Sequence, residues 1–162
     1  MFEIQAGQSI ITNGKPIYRN HENSFDFIDD KEQFRRDGVL TVATLQIPLA
    51  ISTGFLGGIF GYEPRTRWQP KVLSTPISNR DCTLRYFVSD LKLIPEFAVT
   101  IVPLIKELLW TCFYDVNSGW FLTRHPKLDI SPDFVCEFAT NTLAEIYHNS
   151  LVGLWIKPEI ID

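Results

Sequence analysis

Apolar and polar positions change period several times along this chain, and each change predicts an element. Val39, Thr41, Ala43, Leu45 and Ile47 alternate with Leu40, Val42, Thr44 and Gln46, and both sets are largely apolar. That pattern predicts a central strand covered on both faces. Pro48 suits the first turn of a helix, which would run to about Leu56 and stop at Gly57-Gly58. Cys82-Thr83-Leu84-Arg85-Tyr86-Phe87-Val88 is rich in β-formers and predicts a second strand. From Glu96 to Leu109, Phe97, Ile101, Leu104, Ile105 and Leu108 largely share one helical face, with a kink or restart at Pro103. The β-branched run Val99-Thr100-Ile101-Val102 keeps a strand open as the alternative.

Further on, Trp110-Thr111-Cys112-Phe113-Tyr114 and Trp120-Phe121-Leu122 flank Asn117-Ser118-Gly119, the pattern of a hairpin. Ser131-Pro132-Asp133 reads as a helix start: a cap, a proline at the first position and an acid at the positive end. Phe134, Phe138, Leu143 and Ile146, with Val135 and Thr142, then give helical spacing to about Tyr147. Asn149 to Ile156 predicts a last strand, ended by Pro158. Strand, helix, strand, helix, hairpin, helix, strand predicts an α+β fold: a mixed or antiparallel sheet under one layer of helices, split βαβ-like, over residues 38–162 as a single domain. Residues 1–37 are more polar, with turns at Asn13-Gly14-Lys15-Pro16 and a charged run Asp29-Asp30-Lys31-Glu32. They predict an N-terminal extension, with a hairpin of Ser9–Thr12 and Pro16–Tyr18 ahead of a short helix.

Composition narrows the class. With 162 residues, 45% apolar and 21% charged, the chain has the means for one ordinary globular core. A net charge of −4 runs against a nucleic-acid binder. The charge is uneven: residues 38–61 carry none, and residues 62–85 form the one segment with a net positive balance. The uncharged run of 25 residues from Gly38 to Tyr62 has the length of a membrane span. Thr41, Thr44, Gln46, Pro48, Ser52 and Thr53, with Gly54, Gly57, Gly58 and Gly61, argue against that, so no membrane partner is expected. Cys82, Cys112 and Cys136 lie too far apart in sequence for a metal knuckle or a Cys-x-x-Cys pair and read as core thiols. An odd count, with neither a basic n-region nor an apolar h-region at the first residues, predicts a cytoplasmic protein.

No phosphate loop with a following lysine, His-Glu-x-x-His or Gly-x-Ser-x-Gly elbow occurs. His21, His125 and His148 have no carboxylate partners at metal-site spacing, and the sequence implies no cofactor, metal or catalytic residue. The candidate surface is the basic island itself: Tyr62, Glu63, Arg65, Arg67 and Trp68, followed by Arg80 and Arg85. Arginine beside exposed aromatics is the composition of protein-interface hot spots. The same arginines can clamp an anionic ligand bidentately, which makes a small-molecule site or enzyme the alternative. The competing structural role folds Tyr62 and Trp68 back as lids on the core.

Ile59-Phe60-Gly61-Tyr62-Glu63-Pro64-Arg65-Thr66-Arg67-Trp68, one short helix after an apolar strand, resembles the Leu-Gly-Ile-x-Pro-Thr pattern of the bacterial family called domain of unknown function 4279. Ser131-Pro132-Asp133-Phe134 and the closing strand resemble that family's Leu-Ser-Pro-Glu start and final strand, so the similarity spans residues 40–156. This chain inserts Arg65 before Thr66 and lacks an acid in the final strand. The family has no established activity. Some members look like companions of secreted toxins, so the resemblance implies an immunity-type protein that neutralises a toxin by binding.

Overall fold

Leu45, Ile47 and Leu49 are buried while Gln46 is exposed and Pro48 half-buried, so the two-residue period runs straight through Pro48. That segment is a strand. The expected α+β fold with a helix layer is corrected throughout: in this computed structural model, which describes residues 1–31, 36–78, 82–88, 100–105, 110–125 and 131–162, the elements are strands. One turn of 3-10 helix, Arg65–Arg67, is the only helical element among the described residues.

The strands are β1 (Phe2–Ala6), β2 (Gly14–Arg19), β3 (Ser24–Asp29), β4 (Gly38–Val42), β5 (Leu45–Ala50), β6 (Phe55–Leu56), β7 (Phe60–Tyr62) and β8 (Trp68–Pro70). They continue with β9 (Cys82–Tyr86), β10 (Thr100–Ile105), β11 (Thr111–Tyr114), β12 (Phe121–Arg124), β13 (Phe134–Ala139), β14 (Thr142–Tyr147), β15 (Ser150–Ile156) and β16 (Glu159–Ile161). The first sheet runs β1-β9-β6-β5-β7-β3-β2-β16, with β4 on the other edge of β5 and β10 beside β4. The second runs β13-β14-β15-β12-β11-β8. Both are mixed: β10 with β4, β16 with β2 and β8 with β11 are parallel, and the other named pairs are antiparallel.

Each misplaced helix has a local reason. The single strand expected from Val39 to Ile47 is a hairpin, β4 to β5, turning at Ala43-Thr44. Ala43 takes φ +52, a conformation that no glycine or asparagine in the sequence announces there. Pro48 stays in the sheet because its carbonyl still accepts from Gly57 N–H at 2.7 Å, and only its absent donor is lost. The helix expected over 131–147 is the hairpin β13–β14, turning at Thr140-Asn141 with Asn141 at φ +55. Of the segment Glu96–Leu109, residues 100–105 form β10, the strand alternative, and the rest lies outside the described residues. His148, expected at a helix end, sits with Asn149 in the β14–β15 turn, both at positive φ, as a type I′ turn requires.

The expected hairpin β11–β12 and the strands at 82–86 and 150–156 are present. Residues 1–31 are not an extension. They supply β1, β2 and β3 to the first sheet, and Phe2, Tyr18, Phe25 and Phe27 to the core. The core lies between the sheets. Tyr18, Phe25, Leu40, Leu45 and Ile47 of the first meet Phe121, Phe138, Ile146, Leu154 and Ile156 of the second in one apolar cluster. Alternate residues of the second sheet (Leu122, Val135, Leu143 and Trp155) point to its other face, where Leu73 from the segment after β8 packs over them.

Candidate functional site

The basic island is the crossing point from the first sheet to the second, since β7 belongs to one and β8 to the other. Gly61 begins the crossing at φ +124, and a Cβ there would stand 2.5 Å from the Thr44 carbonyl oxygen. Only glycine fits both conditions. Glu63 N–H then donates to Asn23 O at 2.8 Å, and the Tyr18 hydroxyl donates to Glu63 O at 2.9 Å. Pro64 leads into the 3-10 turn, which closes through Arg67 N–H to Pro64 O at 2.9 Å. Trp68 then joins the second sheet opposite Cys112.

This path sends the side chains of the island in different directions. Trp68 points inward. Its ring lies 4.6 Å from Tyr18 and 5.9 Å from Phe25 of the first sheet, and 5.1 Å from Tyr114 and 4.9 Å from Phe121 of the second. It is thus a peg between the sheets, and of the two roles open in the sequence it takes the structural one. Glu63 is buried at 2% exposure. Its Oε2 accepts from the Thr44 hydroxyl at 3.2 Å and from Arg67 Nη1 at 3.4 Å. Arg67 Nη2 also donates to Trp110 O at 3.2 Å. Arg67 is therefore turned to the inside of the crossing, and Glu63 with it.

Tyr62 and Arg65 face out. Tyr62 is 55% exposed. The Arg65 guanidinium lies 5.5 Å from the centre of the Trp68 ring and donates to Asn20 Oδ1 at 3.0 Å. Arg85 is elsewhere, on β9, with its guanidinium 4.5 Å from the centre of the Phe55 ring of β6. Arg80 lies outside the described residues. The six described candidates thus do not form one surface. Tyr62 and Arg65 share the outer side of the crossing, Glu63, Arg67 and Trp68 its inner side, and Arg85 another part of the first sheet.

An open cleft of about 430 Å³ runs beside the crossing, lined by Arg67, Trp68, Trp110 and Cys112 among others. Burial pushes the Glu63 carboxyl above its ordinary range, countered in part by Arg67 and by the Cys112 and Thr44 side chains. Burial, with the nearby Glu63 charge, pushes the Cys112 thiol up to about 12. A thiol so protonated is no nucleophile. Three buried polar atoms at this corner, Glu63 Oε1, Trp68 Nε1 and Trp110 Nε1, have no hydrogen-bond partner among the described residues. Thr44, Trp110 and Cys112, from the β4–β5 turn and the start of β11, carried no local signal of this role in the sequence. They reach Glu63 and Arg67 only through the pairing of strands far apart in the chain.

Among the described residues no cluster of histidine, cysteine and carboxylate side chains could hold a metal ion, and no helix is long and apolar enough to cross a membrane. No family model matches the chain, and no curated protein matches it either.

Proposed function

We propose that this protein is a binding module whose partner is another protein, and that Tyr62 and Arg65 are the centre of the contact. The carrying observation is that both are exposed at the sheet crossing: Tyr62 at 55% exposure, and an Arg65 whose guanidinium lies near Trp68 and is held by Asn20. A guanidinium held before binding loses less conformational freedom when a partner docks. Arginine and tyrosine are the residue types that dominate binding energy when buried at the middle of an interface. The motif resemblance is the ground for taking the partner to be a toxin and the module to act by occlusion in the cytoplasm. Affinity purification from the native host, with wild type beside the Tyr62→Ala/Arg65→Glu double variant, tests the reading. A protein retained in stoichiometric amount by wild type and lost by the double variant supports it. Equal retention by both sinks it.

A second reading has its own observation. Trp68 Nε1 and Trp110 Nε1, buried donors with no partner among the described residues on side chains that line the 430 Å³ cleft, suit a small polar ligand that offers acceptors. An anionic ligand is served less well, because Glu63 already faces the Arg67 charge. Thermal-shift screening with nucleotides, phosphorylated metabolites and neutral polar metabolites separates the two readings. Stabilisation by one compound, unaffected by the double variant, favours the ligand.

A further inference from the structure

Cys82 and Cys136 belong to different sheets, Cys82 to β9 and Cys136 to β13. Each is almost fully buried, at 4% and 0% exposure, in the cluster that both sheets share. After burial, the Cys82 side chain is the neighbour that pushes the Cys136 thiol up. The strands themselves are in contact at this corner. Residues 8–12 fasten it from outside: the Thr83 hydroxyl donates to Gln8 O, and Ile10 N–H donates to Thr83 Oγ1 at 3.0 Å. At the other end Thr12 N–H donates to Phe138 O and Thr140 N–H to Thr12 O, both at 3.0 Å. Residues 8–12 thus tie β9 at Thr83, next to Cys82, to the end of β13, two residues past Cys136.

We infer that Cys82 and Cys136 are a disulfide site, which joins the two sheets when the chain folds in the presence of a low-molecular-weight disulfide such as oxidised glutathione. One cysteine sulfur attacks the oxidant and expels one thiolate, leaving a mixed disulfide. The second cysteine attacks the first cysteine's sulfur in that mixed disulfide and expels the other glutathione as thiolate. The two cysteine protons end on two molecules of reduced glutathione, so one oxidant gives one cross-link and two thiols. The bond would close a loop between positions 54 apart in sequence, the kind of long loop whose closure most restricts the unfolded chain.

Burial holds the Cys136 thiol far above its ordinary value, so the native pair exchanges slowly and the bond forms during folding or partial opening. Cys112 makes a reference, since it lies on β11 with its thiol by the Trp110 carbonyl at 3.8 Å and the Thr123 hydroxyl at 3.6 Å.

The test refolds reduced protein in a mixture of reduced and oxidised glutathione, quenches with acid, and reads intact mass and non-reduced peptides. The expected product has lost about 2 Da, carries a peptide joining Cys82 to Cys136, and leaves Cys112 as the alkylated thiol. It also unfolds at a higher temperature than the reduced form, and Cys136→Ser abolishes the mass loss. Three alkylatable thiols after refolding, or a bond that includes Cys112, overturns the inference. If the reduced chain does not refold, folded protein held in urea below its unfolding midpoint with the same mixture gives the same readout, and three thiols there count equally against it.

Discussion

Glu63 is the residue on which the sheet crossing turns, and its chemistry predicts a pH dependence. Its folded pKa is raised above the ordinary value of 4.5 by burial. The folded protein therefore binds a proton that the unfolded chain has released, and stability falls as pH rises from the unfolded value through the folded one. Its contribution is fully present below the unfolded value and lost above the folded one. Glu63→Gln removes this titration while keeping a side chain that Thr44 and Arg67 can bond. Stability measured by urea unfolding at several pH values upward from about 4.5 is expected to fall less steeply in the variant than in wild type. An unchanged slope would mean that other groups carry the titration. Gly61 is the other residue the crossing cannot exchange. Gly61→Ala adds a Cβ 2.5 Å from Thr44 O and strains a φ of +124, so it should destabilise the protein by about 3 kcal/mol by the same measurement.

The elements teach why part of the fold was legible in the chain and part was not. Hairpin β11–β12 was readable because its turn residues Asn117-Ser118-Gly119 advertise themselves between aromatic strands. Hairpin β13–β14 was not, because Phe134, Phe138, Thr142 and Ile146 stand four apart. Four is close to one helical turn and is also twice the strand period, so the same residues fit both. Ser131-Pro132-Asp133 then supplied a convincing helix cap to a strand, β13, that pairs with β14 instead. Asn141 decides between the two with a single substitution. In a helix interior, Asn141→Ala would stabilise, since alanine is the better helix former. In the observed turn, Asn141 is at φ +55, where alanine is worse than asparagine by about 1 kcal/mol. The backbone N–H of Asn141 to Glu137 Oε1, and its carbonyl to Lys157 N–H, survive the change. Chemical denaturation of this variant should show a loss of stability; a gain would restore the helix.

At the scale of the whole molecule, the basic island was legible as a break between elements and not as an arrangement of side chains. Gly61-Tyr62-Glu63-Pro64-Arg65-Thr66-Arg67-Trp68 did mark the crossing between the sheets, through its glycine, proline and abrupt charge. Which residues turn inward depends on partners that only the tertiary fold supplies: Tyr18 and Phe121 for Trp68, Trp110 and Glu63 for Arg67, Asn20 for Arg65. The parity argument that would set Arg65 and Arg67 on one side holds for an extended segment. It fails because the two sit in a 3-10 turn. One half of the motif locks the sheets together and the other half faces out. Equilibrium unfolding of Arg65→Glu and Arg67→Glu, side by side, tests that division most directly. Arg67→Glu sets a second acid against buried Glu63 and should cost about 3 kcal/mol, whereas Arg65→Glu should stay within about 0.5 kcal/mol of wild type. Equal losses, or a larger loss for Arg65→Glu, would contradict it.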